Sequence, residues 1–146
     1  MMQISDTITL RGALEMNVRR GGVLVEHWAD NNMIMTAARN ALARLVAGDG
    51  ADKVVTKIGV GTGANPPTPA DLALTDAFVK PLLSHDYPET GRVRFKWSIG
   101  VGEANGMAIR EFGLLTVDDT LFARKARAAI EKAADISIDG IWTIIF

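Results

Sequence analysis

The sequence predicts a mainly β fold of the α+β kind: an antiparallel β-sandwich-like domain with one amphipathic α-helix near residues 32–47. Three observations carry that prediction. Apolar residues alternate with polar ones along most segments, the period that turns one strand face toward a core. One stretch, "MIMTAARNALARLVAG", repeats its apolar residues at helical spacing instead. No linker or low-complexity tract interrupts the chain, so residues 1–146 read as a single domain. The echo of "KIGVG" (57–61) in "SIGVG" (98–102) is too short to mark a duplication.

"TITLRGALEMNV" and "GGVLVEHW" read as a strand pair. Ile8 and Leu10, then Leu14, Met16 and Val18, then Val23 and Val25 alternate, and Arg19-Arg20-Gly21-Gly22 makes the turn. For this N-terminal pair, residues 1–30, two placements are open: packing on its own subunit or contact with another. In the helix that follows, Asn31 or Asn32 is the expected N-cap and Gly48 the expected stop. Ile34, Ala37, Ala38, Ala41, Leu42 and Leu45 share its apolar stripe.

"KVVTKIGVG" reads as a buried strand. In "TPADLALTDAF", Thr68 as N-cap, Pro69 at the first helical position and Asp71 at the capping-box position predict a second, short helix. "VKPLLSHDYP" is expected to be extended, with Pro81 at a sheet edge. "RVRFKWSIGVG" is the strongest strand, with Val93, Phe95, Trp97, Ile99 and Val101 on one face and Arg92, Arg94, Lys96 and Ser98 on the other. "MAIREFGLL" and "TLFARKA" follow as strands around the turn Val117–Thr120, and "ISIDGIWTIIF" closes the set. "ARKARAAIEKAAD" has helical propensity but sits between strands, so either state is open.

Composition narrows the function. With 16 Lys+Arg against 17 Asp+Glu the chain has no global basic field for nucleic acid. There is no cysteine, which excludes disulfides, thiolate catalysis and Cys-ligated metals and fits assembly in a reducing cytosol. "MMQISDTITL" lacks the basic-then-apolar order of a signal peptide, and no apolar run reaches membrane-spanning length.

The most suggestive motif is "KIGVGTGANPPTPAD". Gly59, Gly61 and Ala64 satisfy the loose G-x-G-x-x-G/A pattern, yet a phosphate site needs a helix N-terminus within the motif. Pro66, Pro67 and Pro69 remove backbone donors and hold their predecessors extended, so no phosphate-binding helix starts there. Gly59, Gly61 and Gly63 are read as serving the backbone, in a turn where another chain segment approaches or φ is positive.

The other candidates are read as structural. Ser84-His85-Asp86 spells a triad, but strand neighbours point to opposite faces. His27 and His85 have no metal-ligand spacing. Glu103 could pair with Glu111 if their strands met, and Asp118-Asp119 reads as a turn. Glu111 stands in an apolar run, so if buried it needs a partner such as Arg94, Arg110 or Arg124, or a turn's N–H groups. The basic groups Arg124-Lys125-Arg127 and Arg92-Arg94-Lys96 could meet an acidic partner, but no aromatics interleave with them as a nucleic-acid platform requires. Trp28, Trp97 and Trp142 lie in apolar alternation and are expected in a core or interface.

The order of segments resembles a group of small tailed-bacteriophage tail-fibre and baseplate proteins, and the N-terminal attachment (tail-collar) domains of longer fibres. The resemblance is carried by Gly59, Gly61, Gly63, Pro69, Asp71 and Leu72; by Ile109, Glu111, Gly113 and Leu114; and by Leu121, Phe122, Ala123, Arg124, Lys132, Trp142, Ile144 and Phe146. It spans roughly residues 31–146. It implies a non-enzymatic virion structural protein without cofactor or metal, made in the host cytoplasm. The implied partners are copies of itself, a trimer favoured, and other tail or baseplate proteins, with no membrane and no nucleic acid. It also implies that Gly113 permits a bulge in a mid-sheet strand. The competing expectation is a carbohydrate- or host-surface-binding module using an exposed Trp or Tyr87. A third is a small enzyme built on Glu103, Glu111 or His85.

Overall fold

The computed structural model describes residues 10–146; Ile8 and the rest of the first nine lie outside the described residues. Strands β1 (Arg11–Arg20) and β2 (Val23–Ile34) form a hairpin, followed by helix α1 (Thr36–Val46) and a single 3-10 turn at Ala51–Lys53. Seven more strands follow: β3 (Val55–Gly61), β4 (Phe78–Pro81), β5 (Ser84–Asp86), β6 (Arg92–Ile99), β7 (Ala108–Thr116), β8 (Leu121–Glu131) and β9 (Ile136–Ile145). All pairings are antiparallel, and the nine strands run in the order β4-β3-β7-β8-β2-β1-β9-β6-β5.

That sheet is strongly curled. Trp97 on β6 and Phe112 on β7 are separated by four strands in the order, yet their ring centroids are 5.6 Å apart. The inward residues of β1, β6 and β9 (Leu14, Met16, Val18, Trp97, Ile99, Trp142, Ile144) therefore share one core with Ile58, Val60, Phe112 and Leu114 of β3 and β7. The first and last strands of the order are consecutive in the chain. Between them the Leu82 amide donates to Thr56 on the β3 side and the Leu83 amide to Lys96 on the β6 side. Pro81 ends β4, an outermost strand in the order, as its missing N–H requires.

Local chemistry explains the tight connections. Gly21 and Gly22 have φ of 56° and 81°, the left-handed pair that a two-residue hairpin turn needs. Gly48 ends α1 at φ 75°, with its amide bonded to the Leu45 carbonyl and the Asp49 amide to that of Arg44. This is the paired-bond helix stop that glycine favours.

Several elements depart from expectation. Asn31 and Asn32 do not cap the helix: they continue β2, Ile34 ends that strand, and Met35 is the N-cap without a side-chain bond. The Asn32 side chain instead accepts from the Trp142 indole at 2.9 Å, in space left by Gly12. On α1 the fully buried residues are Ala38 and Ala41. No helix follows Thr68: its amide donates to the Asp71 carboxylate at 2.9 Å, one of the two bonds of a capping box, but its hydroxyl donates to the same carboxylate at 2.8 Å and the Asp71 amide donates to the Thr68 carbonyl. Residues 62–77 cross the sheet as a strap, because tertiary contacts claim Asp71, Leu74 and Thr75.

The ambiguous segment is extended up to Glu131, its helical propensity overridden by pairing with β7. Val101 is exposed beyond the end of β6. Val23 and Val25 are exposed too, because β2 pairs with β8 only at Met33 and Ile34, far from this end of the strand.

Candidate functional site

The motif residues of β3, β7 and β8 converge on one patch. Antiparallel pairing sets Gly59 opposite Gly113 and Gly113 opposite Arg124; one step on, Gly61 lies opposite Glu111. Directly opposed residues share a face, so three glycines, a carboxylate and a guanidinium line up on the side away from the main core. Gly113 sits in register there. The irregularities of β7 against β8 fall at Ile109/Glu111 and Leu114/Leu115, so the bulge expected at Gly113 is not where its glycine acts.

The strap closes over this patch. Leu74 fills the bare strip left by Gly59 and Gly113, where a Cβ would come within 2.8 and 3.1 Å of its methyl groups. Glu111 is 1% exposed, and its Oε2 accepts from Arg124 Nε at 2.8 Å and Nη2 at 2.7 Å. Its Oε1 accepts from the Thr75 amide. Arg124, equally buried, also reaches Asp71 Oδ2 and the Asn65 carbonyl, each at 3.0 Å. A Cβ on Gly63 would lie 2.7 Å from Glu111 Oε2, and one on Gly61 would overlap Oε1 and approach the Thr75 carbonyl at 2.7 Å. None of the three, Gly59, Gly61 or Gly63, has positive φ. They are glycines because a carboxylate and a leucine need the space above them.

The pKa of Asp71 is lowered from its ordinary value. The Thr68 amide is the largest cause, its hydroxyl and the Arg124 guanidinium adding to it while burial opposes. The arrangement is a closed ion-pair lock: every charged group is bonded within it, leaving no free nucleophile or base.

The other candidates are similarly occupied. Glu103 binds Lys80 at 2.7 Å and the Gly100 amide at 2.7 Å, and both contacts, the lysine first, lower its pKa. Lys132, 3% exposed, donates to Asn105 Oδ1 at 2.7 Å and the Ala133 carbonyl at 3.0 Å; burial lowers its pKa. Asp118 is held below its usual range chiefly by the Lys53 ammonium, then by Thr116. Lys125 and Arg127 bind Asp30 at 2.7 Å and Glu26 at 3.1 Å. Ser84, His85 and Asp86 are exposed on β5, and Asp86 is tied to Arg94 at 2.9 Å, so no triad assembles. Glu103 and Glu111 sit in separate bonded clusters and form no pair. Among the described residues no group of three His, Asp or Glu could hold a metal.

Trp97 and Trp142 are buried, and Gly140, opposite Trp97, provides the room for that ring. Trp28 is half-buried, with Lys125 and Arg127 at 5.7 and 5.2 Å from its ring centre. Sequence reasoning missed Asp71 as a partner of Arg124, the burial of Lys132 and the service of Gly12 and Gly140 to Asn32 and Trp97. A glycine inside an alternating strand was the available signal for the last two.

One apolar cleft of about 200 Å³ opens where β6 begins and β9 ends, beside α1. Leu45, Val55, Val93, Phe122 and Ile144 line it, with Tyr87 and Phe146 exposed nearby at its rim. Compared with protein-family models, curated proteins and solved structures, the chain matches none.

Proposed function

We propose that this chain is a virion structural protein of a phage tail or baseplate, connecting or initiating a tail fibre by assembly with itself and with neighbouring tail proteins. It works as a rigid sandwich-like scaffold, without catalysis, cofactor or nucleic acid, and the trimer is the favoured state. One observation supports this most: the residues carrying the resemblance meet in the Glu111–Arg124–Asp71 lock, where glycines are fitted to a buried ion pair. Such a lock stiffens a strap against a sheet and offers a substrate nothing. Repeated weak contacts between symmetric copies then make the assembly strong.

The test is the mass of the purified protein in solution, followed by cryo-microscopy of the intact particle. A multimer placed at the tail is expected. A strict monomer absent from every virion defeats the reading.

A second reading, a carbohydrate-binding module, has Tyr87 in its favour, 73% exposed and set edge-on to His85 at 5.9 Å beside the apolar cleft. The buried Trp97 and Trp142 weigh against a broad stacking shelf. Glycan binding that disappears in Tyr87→Ala would establish it.

A further inference from the structure

The scaffold reading leaves one buried amine unused. Lys132, just past the end of β8, is 3% exposed. Its ammonium donates to Asn105 Oδ1 at 2.7 Å, the Ala133 carbonyl at 3.0 Å and the Val101 carbonyl at 3.4 Å. All three acceptors are uncharged. The two carboxylates near enough to act on it are bonded elsewhere, Glu103 to Lys80 and Asp135 to Arg20. A buried ammonium without a bonded counter-charge is poorly compensated for the water it has lost. Burial accordingly lowers the Lys132 pKa against the pull of those carboxylates, the change that makes a lysine nucleophilic.

The carboxamide facing it is fixed as firmly. Asn105 Nδ2 donates to the Val101 carbonyl at 3.0 Å, which leaves Oδ1, and with it Cγ, turned toward Lys132. Two backbone bonds hold the segments together: the Lys132 amide donates to the Met107 carbonyl at 3.0 Å and the Gly106 amide to the Lys132 carbonyl at 2.8 Å. With Oδ1 2.7 Å from Nζ and a carbonyl bond of about 1.2 Å, Nζ lies about 3–4 Å from Cγ, close to the separation of a near-attack pair. The Gly106 bond has a second effect. An Asn-Gly pair ordinarily loses ammonia when the glycine nitrogen closes on the asparagine side chain, and here that N–H is held by Lys132. The lysine amine is left as the better-placed nucleophile.

A carboxylate lies on the same loop. Glu103 accepts from Lys80 and from the Gly100 amide through Oε1 alone, at 2.7 Å each, and its Oε2 has no bonded partner among the described residues. The Lys80 ammonium, the largest cause, keeps it ionised and able to take up a proton.

We propose that Lys132 and Asn105 form an intramolecular isopeptide bond, with Glu103 carrying the proton between the two nitrogens. Lys132 Nζ sheds one proton to Glu103 and attacks Asn105 Cγ, forming the Nζ–Cγ bond. The tetrahedral carbon then breaks its Cγ–Nδ2 bond. The leaving nitrogen takes both protons that Nζ has shed and departs as ammonium, so atoms and charge balance without a co-reactant. The product is a secondary amide that joins the end of β8 to the loop between β6 and β7. It forms once per molecule, without turnover, and it goes beyond the scaffold reading without resting on it. In a chain that has no cysteine, such a bond restricts the unfolded state as a disulfide would.

The intact mass of the purified chain tests this. The wild type should be lighter than its sequence mass by one ammonia. A tryptic digest should contain peptides 97–110 and 128–146 joined, with cleavage after Lys132 blocked. Lys132→Met and Asn105→Ala, the latter at an exposed position, should each restore the full mass, and Glu103→Gln should leave most of the chain unlinked. A wild type at its full sequence mass overturns the proposal. So does an ammonia loss without the joined peptides, which reports closure on the Gly106 amide, or one that survives Lys132→Met. Undiminished linkage in Glu103→Gln overturns the part given to that carboxylate.

Discussion

Replacing Arg124 by Met should be the most damaging single change to the ion-pair lock. Met keeps most of the volume and the aliphatic stem but removes four donor contacts: two to Glu111, one to Asp71 and one to the Asn65 carbonyl. Glu111, at 1% exposure, keeps only the Thr75 amide as a partner. Removing one member of a buried pair costs about 3–5 kcal/mol, since the surviving charge is left without solvent or counter-charge. Typical domain stabilities are about 5–15 kcal/mol, so roughly a fifth of the total or more is at stake. For a chain of this length that lowers Tm by roughly 10–15 °C. Urea unfolding followed by the fluorescence of the buried Trp97 and Trp142 reads the loss directly. The diagnostic comparison is the double variant Glu111→Leu/Arg124→Met, which removes both charges and leaves an apolar pair. It should be more stable than Arg124→Met alone by about 2 kcal/mol or more, because no buried charge is stranded. If the double variant is as unstable as the single one, or if Arg124→Met costs less than about 1 kcal/mol, the lock is not what holds the strap.

Gly63→Ala should destabilise the wild-type chain by about 1–3 kcal/mol, the usual range for overpacking, because all three nearest atoms to the new methyl belong to the pinned Glu111 carboxylate. In a Glu111→Ala background the same change should be nearly neutral, and a double-mutant cycle by urea unfolding measures the difference. Acid should loosen the strap through Asp71. Its folded pKa is depressed below the ordinary 3.8, so its contribution is fully present above that value and is lost as pH falls through the lower folded one. Hydrogen exchange of residues 68–77 should therefore accelerate below about pH 3.8 in the wild type, and Asp71→Asn should abolish that part of the pH dependence.

The residues themselves made much of the fold legible. Alternation identified the principal strands, Gly21-Gly22 the hairpin turn, Gly48 the helix stop and Pro81 an outer strand. Each of these rests on the backbone preferences of one residue or on a period of two, which neighbours along the chain suffice to express. The need of Glu111 for a partner was equally legible, since a carboxylate in an apolar run must be bonded once it is buried.

Which partner it has, and why its surroundings are glycine, was decided only by tertiary structure. Arg124 faces Glu111 because β7 and β8 pair in one particular register, and Gly61 and Gly63 stay bare because the third strand and the strap close over the same carboxylate. The same contacts overrode local signals: the Thr68 amide met the Asp71 carboxylate as at a helix start, but no helix followed once Arg124 and the Gly59–Gly113 strip had claimed Asp71 and Leu74. Asn32 was spent on Trp142, 110 residues away, and so could not cap α1. Val23 and Val25 alternate like core residues and are exposed, because alternation records which face a side chain takes and says nothing about whether a second layer lies above it.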